Sequence, residues 1–146
     1  MTAARHRTTA SDLRIDLAKG TDAQVFRWLT ACLLFGARIS QDIAARAYAE
    51  LDKLGVLTPA RLAGADWQEL VDALGRGGYR RYDESTARRL ISLGQRVLDE
   101  YGGHAARLRD GADTKRAVAG RVQEFTGIGP VAAEIFVREI TPVWGL

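Results

Sequence analysis

The feature that most constrains this chain is its punctuation. Helix-capping residues and glycines bracket stretches in which apolar side chains recur every three to four positions. No stretch alternates apolar and polar residues as a half-buried strand would. Thr21 is a good N-cap, and Val25, Leu29, Cys32 and Leu33 follow at helical spacing up to Gly36. Ser40 opens a second segment with Ile43, Ala47, Leu51 and Leu54, and Gly55 stands as its stop. Thr58-Pro59 sets a cap before a proline in the first helical position, the arrangement that starts a short helix. Asp66 precedes Trp67, Leu70, Val71 and Leu74. A long helix is predicted over 83–101, with Leu90, Ile91, Val97 and Leu98 inward and Gly102-Gly103 as its break. Further helices are predicted over 113–125 (Val118, Val122, Phe125) and 131–140 (Ile135, Phe136, Ile140), joined by a tight turn at 126–130. The expected fold class is all-α, a compact multi-helix domain of short helices and short turns.

The 146 residues suffice for one domain, and an apolar fraction of 47% excludes a wholly disordered chain. The helical domain is expected over 21–146, preceded by a loosely held polar segment over 1–20. That segment contains Arg5, His6 and Arg7 but no continuous apolar block, so it does not read as a secretory signal. No apolar run reaches the roughly 18 residues of a membrane helix. A cytoplasmic location follows as the default, nucleoid-associated in a bacterium. The single cysteine, Cys32, excludes an internal disulfide and a four-thiolate iron–sulfur cluster. His6 and His104 are too few and too isolated for a metal site or a triad.

Of 21 basic residues only Lys19, Lys53 and Lys115 are lysines, which leaves 18 arginines and a net charge of +3. Arginine presents a planar fork of donors that grips phosphate in bidentate fashion, although codon usage in a GC-rich genome accounts equally well for the bias. Arg76, Arg80, Arg81, Arg88, Arg89 and Arg96 gather around a glycine-rich loop, GRGGYRRYD, and the helix after it. They form a basic face, or else they pair with Asp83, Glu84, Asp99 and Glu100 nearby.

The stretch VAGRVQEFTGIGPVAAEIFVREI, Val118 to Ile140, carries the most specific signal. Gly127-Ile128-Gly129 permits a sharp hairpin, Pro130 fits the first position of the following helix, and Ala132 and Ala133 let two helices approach closely. Such a turn leaves main-chain N–H groups uncovered at a helix N-terminus, an anion site; a Gly-x-Gly alone is more often an ordinary turn between two core helices. The whole pattern resembles the helix-hairpin-helix motif of DNA repair proteins. The resemblance implies a contact to duplex DNA phosphates through Gly127, Ile128, Gly129, Val131 and Ala132, without readout of sequence. It also implies an optional monovalent cation on the backbone carbonyls of Gln123, Phe125 and Ile128, and no other cofactor.

Upstream, LLFGARIS followed by QDIAARAYAEL, the glycine loop and the arginine-bearing helix are similar to the six-helix lobe of endonuclease III-like base-excision glycosylases. In that family a polar residue after the first helix fills the gap left by a flipped base. Arg38 matches it, where those enzymes carry Gln. The glycine loop either supplies a second intercalating side chain or is a solvated turn whose tyrosines pack locally. The resemblance thus draws a wedge and basic face from Arg38, Gln41, Tyr79, Arg80, Arg81 and Arg88. The enzymes' Schiff-base lysine falls on Val131, their catalytic aspartate would fall past Leu146, and their cluster cysteines have no counterpart. Glu134, Glu139 and Asp42 are the carboxylates that could substitute, with Glu139 the candidate near the place of the missing aspartate; an ordinary surface glutamate beside Arg138 is the plainer account. The expected function is non-sequence-specific binding of double-stranded DNA, damaged or intact, by a catalytically degenerate relative. An active glycosylase or lyase with a different residue set, and a helical protein-interaction module, are the alternatives.

Overall fold

The computed structural model describes residues 8–146. Seven α-helices lie among them: α1 (Asp22–Phe35), α2 (Gln41–Leu54), α3 (Pro59–Ala63), α4 (Trp67–Arg76), α5 (Asp83–Tyr101), α6 (Lys115–Val122) and α7 (Pro130–Val143). Short 3₁₀ turns occupy Ser11–Leu13, Leu17–Lys19 and Ala105–Arg109, and no strand occurs among the described residues. The capping residues work as their chemistry dictates. The side chains of Thr21, Ser40, Thr58 and Asp66 accept from the backbone N–H of Gln24, Ile43, Arg61 and Glu69. Each satisfies a donor that the helix's first turn leaves without a partner. No described helix is long and apolar enough to cross a membrane.

Helix α1 is the centre of the core. Val25, Phe26, Trp28, Leu29, Ala31, Cys32 and Leu34 are all buried, so the helix is covered on every side. It runs antiparallel to α7. Gly36, just past the end of α1, faces Ala132 in the first turn of α7, where an added Cβ would lie 2.9 Å from the alanine Cβ. Gly20, just before α1, faces Val143 at the end of α7. Helix α2 packs on α1 and α4, while α3 and α4 both pack on α5.

Four expectations change. Residues 8–20 of the segment drawn as loosely held contribute Ala10, Ile15 and Leu17 to the core, and the Ala10 N–H donates to both oxygens of Glu139 at 3.0 and 3.2 Å; residues 1–7 lie outside the described part. Helix α6 begins at Lys115, because Thr114, accepting from Ala117 N–H, is its cap. It ends at Val122, as Glu124 and Phe125 turn back through bonds to Arg121 and Val122 carbonyls. Helix α7 extends to Val143 and takes in Pro142 near its C-terminus, where one missing donor is tolerated.

The fourth change concerns the glycine loop. Tyr79, drawn into the wedge face as a side chain that either stacks on bases or packs locally in a solvated turn, is fully buried, and its hydroxyl donates to the Leu34 carbonyl at 2.9 Å. The apolar ring gains more from the core than from water, and the buried hydroxyl finds the acceptor it needs. Tyr79→Phe is expected to cost about 1–2 kcal/mol in urea unfolding, through the carbonyl left unpaired, and to leave DNA affinity unchanged. Loss of affinity without loss of stability would restore the stacking role.

Candidate nucleic-acid interface

The turn between α6 and α7 is pinned from below by two apolar side chains. Phe125 and Ile128 are 2% and 4% exposed, so the backbone on either side of Gly127 is drawn against the core and the glycines face out. Gly127 has φ of +93°, a conformation that side chains disfavour. Gly129 is the extended N-cap of α7 and has no side chain to cap the helix. Pro130 lacks a donor, and the first α7 amide returned to the protein is that of Ala133, to the Gly129 carbonyl at 3.0 Å. Among the described residues the N–H groups of Gly127, Gly129, Val131 and Ala132 have no acceptor. Gly127, Gly129 and Val131 are exposed, Val131 at 61%.

Two of the five residues expected to present amides do not present them openly. The Ile128 N–H is spent on the Phe125 carbonyl at 3.1 Å, which shapes the turn. Ala132 is 1% exposed because it packs on Gly36. That leaves Gly127, Gly129 and Val131 facing outward at the positive end of the α7 dipole. Of the three carbonyls expected to hold a cation, that of Phe125 already accepts from Ile128, using one of its two lone pairs. Those of Gln123 and Ile128 accept no backbone bond. Hard carbonyl oxygens of this kind suit a monovalent cation.

Arginines of α5 meet this turn. An added Cβ on Gly127 would lie 2.5 Å from Cδ of Arg89 and 3.1 Å from its Cγ and Nε, so the Arg89 side chain lies across the first glycine of the turn. Arg96 binds the turn from beneath. Its guanidinium donates to the Glu124 carbonyl and to Glu100, and sits 5.5 Å from the centre of the Phe125 ring. Arg96 is therefore committed to the fold. Its contact with Glu124 joins residues 28 apart in sequence, and no local signal announces it.

The other residues of the expected face divide. Arg38 is exposed in the loop between α1 and α2, beside Gly36 and so beside the start of α7, with no ion pair among the described residues. Arg88 is also exposed and without an ion pair. Gln41 does not stand free, since its Oε1 accepts from the Thr8 N–H at 2.6 Å. Arg80 lines an open depression of about 550 Å³ between Arg76, Asp72 and Asp83. Arg81 lies 5.6 Å from the ring centre of its neighbour Tyr82, and Arg76 pairs with Glu50 at 3.1 Å. Of the four acids expected to neutralise the face, only Glu100 does so within salt-bridge distance, by taking Arg96.

Glu139 stands about 13 Å along α7 from Pro130, at 1.5 Å per residue, and serves another purpose. Burial raises its carboxyl above the ordinary 4.5, opposed by the Ala10 N–H and by the charge of Arg138. Arg138 itself pairs with Glu134, not with its neighbour. A folded-state value above the unfolded one means that the native state holds more protons, so stability falls as pH rises from about 4.5 through the raised value. Glu139→Gln keeps an acceptor for Ala10 and has no charge to desolvate. Its unfolding free energy is expected to lose that decline, as denaturant titrations at several pH values would show. Parallel pH profiles for the two proteins would contradict the assignment.

Neither family profiles, nor curated proteins, nor solved structures include a match to this chain.

Proposed function

We propose that the chain is a DNA-binding domain that holds duplex DNA by its sugar-phosphate backbone through the α6–α7 turn, as a helix-hairpin-helix of the glycosylase type, without glycosylase chemistry. The observation that carries this reading is the outward amides of Gly127, Gly129 and Val131, which have no acceptor in the described protein and lie beside the guanidinium-bearing side chain of Arg89. Amides and a helix dipole favour an anion, and an arginine adds a charge that cannot be titrated away. Arg38, next to the start of α7, is the side chain placed to probe a distorted or abasic step. A monovalent cation on the Gln123, Phe125 and Ile128 carbonyls would add positive charge under the same phosphate.

Phosphates carry no base information, so binding is expected to be uniform across sequences, with a dissociation constant of roughly 10⁻⁴ to 10⁻⁶ M at physiological salt. The logarithm of affinity is expected to fall with that of salt by about 0.9 per phosphate neutralised. Fluorescence anisotropy with labelled duplexes measures both. No binding to any duplex at about 100 μM protein in low salt would refute the reading. Val131 supplies no amine where the related enzymes form their imine, so borohydride is expected to trap no covalent adduct on an abasic duplex. A trapped adduct would favour the active-enzyme alternative.

A further inference from the structure

An open depression of about 410 Å³ lies between the segment before α1 and the C-terminal half of α7. Small-molecule sites have volumes of about 300–1,000 Å³. Ile15, Leu17 and Ala18 give it an apolar lining, and Arg14, Asp16 and Glu139 line it with charge. These residues are not those of the α6–α7 turn, and nothing that follows rests on the DNA reading.

The charges around the depression are unevenly paired. Asp16 has Lys19 at 3.8 Å. Glu139 and Arg14 have no ion-pair partner among the described residues, and Arg138, next to Glu139 in the chain, is taken by Glu134 at 3.7 Å. The Ala10 N–H is shared between the two Glu139 oxygens, at 3.0 and 3.2 Å, and a single donor leaves lone pairs open on both. A half-buried carboxylate is therefore partly withdrawn from water without a cation beside it. Arg14 lines the same depression but stands beyond salt-bridge distance.

Arg14 has a second irregularity. Its φ is +61°, the one positive value at a non-glycine among the described residues, and its N–H closes the turn on the Ser11 carbonyl at 2.9 Å. Glycine would hold this turn without strain. A side chain kept in such a conformation costs stability, and strain of this kind gathers where a side chain serves a ligand.

We propose that the depression binds a small zwitterion, an amino-acid-like molecule whose ammonium group meets the Glu139 carboxylate and whose carboxylate meets the Arg14 guanidinium. The ammonium supplies donors to the open lone pairs of Glu139, and the guanidinium fork accepts a carboxylate in bidentate fashion. Methylenes between the two charges lie along Ile15 and Leu17. A ligand with one charge fits less well: a lone anion faces Glu139 and Asp16, and a lone cation faces Arg14.

The test is an amide-resolved NMR titration of the whole chain with glycine, β-alanine, γ-aminobutyrate and ε-aminocaproate, which carry the same two charges at increasing separation. Butylammonium chloride and sodium butyrate, at matched ionic strength, are the single-charge controls. At least one zwitterion is expected to give saturable shifts at Ala10, Arg14, Ile15 and Leu17 with a dissociation constant of about 1 mM, and to bind about tenfold tighter than either control. Glu139→Gln keeps the acceptor for Ala10, and Arg14→Gly suits the positive φ, so both proteins should fold. Each is expected to weaken binding about tenfold or more. No saturation by any zwitterion at about 50 mM would refute the site. Controls that bind as tightly would refute the pairing of two charges, and unchanged affinity in either variant would overturn the proposal.

Discussion

Gly94→Ala is expected to destabilise the fold by about 3 kcal/mol and to lower the melting temperature by about 10 °C. Gly94 sits in the middle of α5, where α3 crosses it. A Cβ there would lie 2.6 Å from the Pro59 carbonyl oxygen, 2.7 Å from the Ala63 nitrogen and 2.9 Å from the Leu62 Cβ. Two of these are backbone atoms of a helix held by its own cap and by buried Leu62, so no flexible side chain can move aside. The helices must separate, and tightly packed interiors resist that. Alanine has the higher helix propensity by about 1 kcal/mol, so propensity alone predicts stabilisation. The sign of the measured change decides between the two. A Gly94→Ala protein as stable as the parent in denaturant titration would show that α3 does not press on α5 at this point.

Gly127→Ala is expected to lose most of the DNA affinity, tenfold or more and equally for all duplex sequences, with a stability cost of about 1–3 kcal/mol. Two separate effects contribute. The positive φ disfavours any Cβ, and the Cβ collides with Arg89, which must swing off the hairpin. A double-mutant cycle separates them. In an Arg89→Ala background the collision is gone and only the backbone strain remains, so Gly127→Ala is expected to cost less there than in the parent. Strictly additive costs would mean that Arg89 does not lie over the turn. Gly129 is the internal control. Its φ is −95° and nothing lies within 4 Å of an added Cβ, so Gly129→Ala should fold normally and affect only the approach of a ligand. Equal loss of stability at both positions would contradict this account.

The tight turn between α6 and α7 was legible because each of its requirements is local. A residue at positive φ asks for glycine, the first helical position accepts proline, and a helix N-terminus without a capping side chain leaves amides free. All of this is written in GIGPVAA. The basic face was legible only in part. Composition announced the arginines but not their partners. Arg76 is taken by Glu50 and Arg96 by Glu100 and Glu124, and these carboxylates lie anywhere from four to 28 residues away. Tyr79 was misplaced for a related reason: a tyrosine among arginines and glycines has the composition of a surface loop, and only the Leu34 carbonyl, 45 residues upstream, gives its hydroxyl a place inside.

By itself, then, the order of amino acids settled where α1 to α5 start and stop, though not the ends of α6 and α7, since caps, glycine stops and a 3.6-residue apolar period act over a few neighbouring residues. It also settled that the described residues form helices and no strand. The tertiary structure decided which amides stay open once Ile128 bonds to Phe125 and Ala132 packs on Gly36, which arginine crosses Gly127, and that Glu139 fastens the segment around Ala10 instead of facing a groove. Those choices depend on the antiparallel meeting of α1 with α7 and on the approach of α5 to the hairpin. They arise from contacts between residues far apart in the chain, whose energies no short stretch of sequence contains.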